Sequence, residues 1–207
     1  VLPSRSDTER AKTFIVVRMN ANTIASASAP SAATRWSLDP GHSAVGFSIR
    51  HNMITNVRGE FDKFSGELTY DPDRPEATHL QASIDVASLD TREARRDGTL
   101  RSALFFDVEN HPVMTFVSKS ASAVGAGNLD VVGDLTIRGI SHEVTLAVRE
   151  ISALKSDIHR TPRLGATATT KIRRSDYGMT WNTALEGGGF VLGDVVTITL
   201  ELSLKAQ

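Results

Sequence analysis

The stretch Val195-Val196-Thr197-Ile198-Thr199-Leu200-Glu201-Leu202-Ser203-Leu204 decides the fold. Val196, Ile198, Leu200, Leu202 and Leu204 fall on one side, and Thr197, Thr199, Glu201 and Ser203 on the other. A period of two over nine positions belongs to a strand with one apolar and one wet face. The pattern recurs upstream. Val45, Phe47 and Ile49 alternate with Ala44, Gly46 and Ser48, and Leu80, Ala82, Ile84 and Val86 alternate with Gln81, Ser83 and Asp85.

Turn chemistry separates these runs. Asp71-Pro72-Asp73-Arg74-Pro75 ends the strand around Glu67 to Tyr70, because proline lacks the N–H that a ladder needs. Gly125-Ala126-Gly127-Asn128 predicts a hairpin loop between a Phe116 strand and a Leu129 strand. Arg138-Gly139-Ile140-Ser141 predicts a tight connection between Gly133–Ile137 and Glu143–Val148. Ser156 to Pro162 reads as a longer polar loop, and Gly187-Gly188-Gly189 as a flexible turn before the last strand.

One segment reads helical. Asp90-Thr91 offers a cap before Arg92–Asp97, and Leu100, Leu104 and Phe105 follow Gly98 at helical spacing until Pro112 forbids continuation. Gly98 leaves one helix or two short ones open. Many short strands with one helical insertion predict an all-β domain, a closed antiparallel barrel of about eight strands or a sandwich. A barrel of that size has an interior able to hold a small ligand.

The chain has 207 residues, 40% hydrophobic and 23% charged, enough for one sizeable β domain plus a tail. The run from Asn20 to Thr34 is mostly Ala, Ser, Thr and Asn, with Ile24 its one large apolar side chain, so residues 1–35 are expected to form a disordered arm and residues 36–207 the folded domain. A formal net charge of −1 argues against general nucleic-acid binding, which needs a basic footprint. There is no cysteine, which excludes disulfides, thiolate metal sites and cysteine nucleophiles. No apolar run approaches the roughly 20 residues of a membrane-spanning helix. Phe14-Ile15-Val16-Val17 is too short for the apolar core of a secretory signal, so a cytoplasmic location is expected.

The apolar sides of the strands supply candidate lining residues for a barrel interior: Val45, Phe47, Ile49, Ile84, Val86, Phe116, Leu135 and Ile137. Phe105, Phe106 and Met114 flank the helical segment and are placed to close one end, where rings and a thioether adapt to flexible chains. Alternation alone does not distinguish a filled barrel from a hollow one.

Catalytic and metal constellations are missing from the pattern. His42 and His51 are nine apart, which puts them on opposite faces of a regular strand. No His-x-His pair, Gly-x-Ser-x-Gly elbow, phosphate loop or dinucleotide fingerprint occurs. Asp97, Asp107 and Asp176 with Arg96, Arg101 and Arg174 read as Arg–Asp pairs bracing a helix on the barrel rim. Arg96 or Arg101 is the candidate contact for a polar ligand head group. The runner-up is a small-molecule enzyme with a carboxylate and a histidine near the mouth, and the third class is a packed structural barrel. No catalytic residue, metal or cofactor is expected.

The residues between the strands carry a resemblance. Trp36-Ser37-Leu38-Asp39, His42-Ser43, Val45, Phe47, His51, Gly59 and Phe61 open it. Leu89-Asp90-Thr91, Arg96-Asp97, Leu100-Arg101-Ser102, Phe105-Phe106-Asp107 and His111-Pro112 through Thr115-Phe116 form its most specific block. Gly133 to Ile140, Arg174-Ser175-Asp176-Tyr177-Gly178 and Asp194-Val195-Val196 complete it. In this order and spacing they resemble the YceI-like family of bacterial lipid-binding proteins. The resemblance implies a lipocalin-like barrel with a helical element, a polyisoprenoid or isoprenoid quinone in an apolar channel, no catalytic activity and a homodimer. It also allows a periplasmic or secreted location. The chain departs from the family at Arg173, where an acidic or amide residue is usual, and at Leu164-Gly165-Ala166, where an aromatic is. The first alters charge near one barrel end, and the second reshapes the channel.

Overall fold

A computed structural model describes residues 34–125 and 127–207. Twelve strands and one helix follow in chain order: β1 (Thr34–Leu38), β2 (Ala44–His51), β3 (Thr55–Phe61), β4 (Phe64–Tyr70), β5 (His79–Asp85), β6 (Leu89–Asp90), α1 (Ala94–Arg101), β7 (Val113–Ala123), β8 (Leu129–Ile137), β9 (Ile140–Arg149), β10 (Lys155–Ser156), β11 (Pro162–Arg173) and β12 (Leu192–Ala206). All pairings are antiparallel. Residues 1–33, most of the expected arm, lie outside the described residues, and Thr34 and Arg35 already belong to β1, paired with Tyr70 and Thr69.

The twelve strands reduce to eight staves. β1 and β2 both pair with β12, so they form one stave interrupted at Asp39–Ser43. Pro40 cannot donate there, and the Asp39 carboxylate accepts from Gly41 N at 3.2 Å instead. Between Leu38↔Leu204 and Ala44↔Glu201 the stave advances six residues while β12 advances three. β3 with β4 and β5 with β6 are broken in the same way, and their kinks are stitched together. Ser88 accepts from Asp62 N and Lys63 N, and Lys63 O accepts from Asp85 N at 2.9 Å. β7, β8, β9, β11 and β12 complete the ring, which closes where β11 pairs with β9 on one side and with β12 on the other. Closure removes the unpaired edge that an open sheet would present.

Apolar burial follows strand parity. In β8, Leu129, Val131, Gly133, Leu135 and Ile137 are buried and the residues between them are half-exposed. The Arg138-Gly139 turn has φ of 53° and 71°, the two-residue geometry whose twist suits antiparallel strands. Two glycines make room for rings: a Cβ on Gly59 would stand 2.5 Å from Phe47 Cζ, and one on Gly133 would stand 2.5 Å from Phe116 Cζ. Ser156 to Pro162 is a hairpin rather than an unstructured loop, since Lys155 and Ser156 pair with Arg163 and Pro162.

The segment 91–112 spans the gap between β6 and β7. Its helix starts later than the sequence suggests. Arg92 has φ 63°, outside helical space, and the Glu93 carboxylate caps Ala94–Arg101 by accepting from Arg95 N and Arg96 N. Gly98 sits inside this single helix without breaking it. Bracing does not use Arg–Asp pairs. Buried Asp97 accepts from both the N–H and the hydroxyl of Thr91, while Arg96 donates Nε to Thr91 Oγ1 and Nη2 to Thr91 O, both at 2.7 Å.

Candidate functional site

The barrel interior is not filled by its own side chains. A cavity of about 250 Å³ remains, far above the roughly 10–15 Å³ that one water needs. It is lined from both ends of the staves. On β12 the wall runs from Leu192 to Leu204, twelve residue steps, or roughly 40 Å of strand at about 3.3 Å each. On β8 it runs from Leu129 to Ile137, and on β11 from Leu164 to Ile172. Small side chains on β11 keep the space open: Ala166, Ala168 and Thr170 stand between Leu164 and Ile172. Ala166 belongs to the Leu164-Gly165-Ala166 stretch in which the resemblance leads one to expect an aromatic residue. The wall is almost wholly apolar, so water inside finds few of the polar partners it needs.

Ten of the eleven candidate residues stand on this wall: Val45, Phe47, Ile49, Ile84, Phe105, Phe106, Met114, Phe116, Leu135 and Ile137. Val86 does not. Strand β5 ends at Asp85, and the one-turn 3-10 helix Val86–Ser88 tucks Val86, 1% exposed, beneath the 91–112 segment, where its N–H meets Pro112 O. Arg101 is also off the wall. Its guanidinium donates to the carbonyls of Ala87 and Leu89, pinning the helix end to that kink. Arg96 does reach the wall, with two donors committed to Thr91. Phe61, Tyr70, Leu80, Val131, Leu146 and the inward face of β12 line the cavity too and were not among the candidates, although their strand parity places them there.

The two ends differ. At the helix-covered end, Phe105 packs on Trp181 with centroids 5.7 Å apart, and Met179, Leu192 and His51 join the wall. Buried Arg174 reaches the wall here, and its guanidinium donates to Gly193 O and Met179 O. Burial lowers its pKa from the usual value, and the nearby Asp194 carboxylate opposes that shift. Burial, with Asp176 nearby, pushes the Tyr177 hydroxyl up to about 12, so the phenol keeps its proton at neutral pH. Arg173 is exposed at the end of β11. At the opposite end, Trp36, Leu164 and Leu204 cluster with Leu38, Leu68 and Tyr70.

The histidines do not converge. His42 precedes β2 in the 3-10 turn at Pro40–His42, with Nδ1 3.1 Å from Asp39 Oδ2. The strand-parity argument therefore does not apply to it, but the length of β2 separates it from His51. His142 contacts Asp176 O at 3.0 Å and meets the Tyr177 ring edge-on. Among the described residues no group of three or more His, Asp or Glu could hold a metal ion, and no helix is long and apolar enough to cross a membrane. His51→Ala is expected to change the affinity of the cavity for a long apolar probe by less than about threefold, since one edge of an apolar wall is lost and no hydrogen bond is. Titration of an intrinsically fluorescent polyene probe checks this, and a larger loss would reveal a polar role for His51.

The residue order and this architecture agree with known proteins. A family model described as the YceI-like domain matches residues 36–204. The chain belongs to the YceI-like family. A UPF0312 protein of Staphylococcus aureus (strain MSSA476) is 36% identical over 160 residues, covering 77% of this chain and 91% of the relative. A UPF0312 protein of Staphylococcus epidermidis is 37% identical over 162 residues, with the same coverage. Among solved structures, BcnA of Burkholderia cenocepacia superposes with a TM-score of 0.70 at 26% identity, covering 80% of this YceI-like chain and 98% of its own. A polyisoprenoid binding domain from Saccharophagus degradans shares the fold with a TM-score of 0.61 at 22% identity, covering 83% and 98%.

Proposed function

We propose that this YceI-like protein is a non-enzymatic carrier that shelters one long-chain lipid, of the polyisoprenoid or isoprenoid-quinone class, inside its barrel. The observation that carries the reading is the apolar cavity lined from Leu204 to Leu192. The ligand class is suggested by the polyisoprenoid binding domain of Saccharophagus degradans, which shares this fold. The seven wall residues that strand parity singles out, with Phe105, Phe106 and Met114 beside the helical segment, would contact the chain.

Such a site needs almost no polar recognition. Transfer of hydrocarbon from water contributes about 0.8 kcal/mol per methylene before ordering costs. Large ligands achieve only about 0.3 kcal/mol per heavy atom, so a chain of ~40 carbons reaches roughly 12 kcal/mol, on the order of nanomolar affinity. The wall supplies flexible and aromatic partners, among them Met114, Phe105 and Phe106. Organic extraction of the purified protein followed by mass spectrometry is expected to yield about one long-chain lipid per barrel. An empty extract, together with no uptake of a prenyl or acyl probe by the stripped protein, would overturn the reading.

A further inference from the structure

The barrel ladder is incomplete at one seam. Strands β9 and β11 pair at Arg149↔Thr167, Val148↔Ala168 and Ala147↔Thr169 and no further, whereas β11 and β12 pair over eleven positions. Both strands continue past the last pair, β9 back to Ile140 and β11 on to Arg173. Carried on, the register would set Val144 opposite Ile172 and Glu143 opposite Arg173. Instead the strands part, and the one-turn 3-10 helix Arg174–Tyr177 bridges the open end, where Asp176 O meets His142 Nε2 at 3.0 Å. A groove lies over the split on the outer face. Val144 and Ile172 line this groove and also line the cavity. Strand parity turns both inward, Val144 beside Gly133 of β8 and Ile172 two steps beyond Thr170. The same pair of apolar residues thus borders the solvent side and the hollow side.

We propose that this split is a side entrance to the barrel, and that the groove over it seats an anionic oxygen head, a phosphate or a carboxylate. The tail then passes between Val144 and Ile172 to the cavity. The proposal rests on the carrier reading and adds to it the route of entry and the charge of the head. The cavity wall is almost wholly apolar, so an ionised oxygen drawn inside would lose its water and gain no partner. In the groove the same oxygen keeps part of its hydration and meets fixed charges. Exposed Val195 lies beside them and offers apolar surface to the first carbons of the tail.

Charge decides the sign of the head. Lys171 and Arg173 line the groove, exposed and two residues apart on the outward side of β11, roughly 7 Å along the strand. Neither makes an ion pair or a side-chain hydrogen bond among the described residues. Two carboxylates share the groove with them. Glu143 is held by Lys119 at 3.2 Å, and Asp134 holds the same ammonium at 2.6 Å. Asp176, on the bridging helix, makes no ion pair among the described residues. Two unpaired cations against one unpaired carboxylate favour an anion. Charge-assisted hydrogen bonds from an ammonium and a guanidinium suit its oxygens. Buried Tyr177 keeps its proton and adds no negative charge.

The chain has no cysteine, so Val144→Cys with Ile172→Cys supplies one addressable pair of thiols across the split. In full-length protein stripped of lipid the pair is closed by oxidation, or by a short bis-maleimide where the gap is too wide for a disulfide. Uptake of a fluorescent polyene carboxylic acid is then timed by stopped flow. Bridging is expected to slow uptake at least about tenfold relative to the same variant unbridged, as for a gate that is held shut. Thr169→Cys with Thr199→Cys, bridged across the paired β11–β12 seam, should keep its unbridged rate. Should the first pair fail to fold, Glu143→Cys with Arg173→Cys carries the same bridge on the outer lip. The head is read separately, by competition with a polyprenyl phosphate, the polyprenol of equal length and inorganic phosphate. Wild type is expected to bind the lipid phosphate roughly 3–10-fold tighter than the alcohol, with the gap narrowing as salt is raised, and inorganic phosphate not measurably. Lys171→Gln with Arg173→Gln should bring the two lipids to equal affinity. An unchanged rate in the bridged protein would overturn the entrance. Alcohol binding as tight as the phosphate in wild type, or competition by inorganic phosphate, would overturn the head site. Either result leaves the carrier intact, whereas binding of neither lipid would overturn the carrier itself.

Discussion

Phe47→Asp is expected to lower the uptake of a long-chain prenyl or acyl probe at least a hundredfold, whereas Ser48→Asp, one residue along the same strand, leaves it unchanged. Phe47 lines the cavity, and its ring lies 5.7 Å from that of Phe61. Ser48 has the opposite parity on β2 and is not part of the wall. An ionised carboxylate in this wall loses its water to any apolar chain that enters, and the effective cost of such burial is several kcal/mol. A loss of about 3 kcal/mol already corresponds to more than a hundredfold in affinity. The paired design separates facing from folding, because both variants add one charge to the same strand. Probe titration with a thermal melt on each variant checks it. Equal uptake by the two folded variants would mean that β2 does not present this face to the ligand.

The second large effect concerns stability. Gly133→Ala is expected to destabilise the fold by about 3 kcal/mol and to lower Tm by roughly 6–12 °C. The added Cβ would stand 2.5 Å from Phe116 Cζ and equally close to Val117 O. Phe116 could turn away only by leaving the wall, and the Val117 carbonyl belongs to the β7 backbone beside β8. Gly98→Ala is the control. A Cβ there meets nothing within 4 Å, and the position is inside α1, so the substitution should be neutral or stabilise by about 0.5–1 kcal/mol. Differential scanning calorimetry on both variants tests the contrast, and equal melting temperatures would show that the close packing of Phe116 over Gly133 is not what holds β7 on β8.

These two glycines illustrate what could be read from the chain alone. The long strands were legible because their alternation is uninterrupted: the five apolar residues from Val196 to Leu204 all reach the cavity, and Leu135 and Ile137 follow the same rule on β8. The kinked staves were less legible. Period two counted through Asp85 puts Val86 on the inner face, but the backbone turns into a 3-10 helix at that residue and carries it away from the wall. Nothing local announces the turn except the Asp85 carboxylate, which accepts from Ala87 N at 2.9 Å. The helix start was displaced for a similar reason: Asp90 does cap a turn, accepting from Arg92 N at 2.6 Å, but the turn precedes the helix. For Arg101 the sequence suggests an aspartate partner or a ligand head group, whereas its partners are the backbone carbonyls of Ala87 and Leu89, which side-chain patterns do not reveal. Whether the interior is hollow was the least legible property of all. It depends on small residues such as Ala166 and Ala168 standing beside Leu202 and Leu200 of the neighbouring strand on the cavity wall, a relation that appears only when register is known.

The hollow interior is also the claim most directly open to measurement. Dissociation constants for a homologous series of prenols, lengthened one isoprene unit at a time, should fall steadily while each added unit still finds wall between Leu204 and Leu192. They should then level off once the chain outgrows the barrel. Affinity that ignores chain length, or that ceases to improve after the first one or two units, would mean that no continuous apolar passage runs through this molecule.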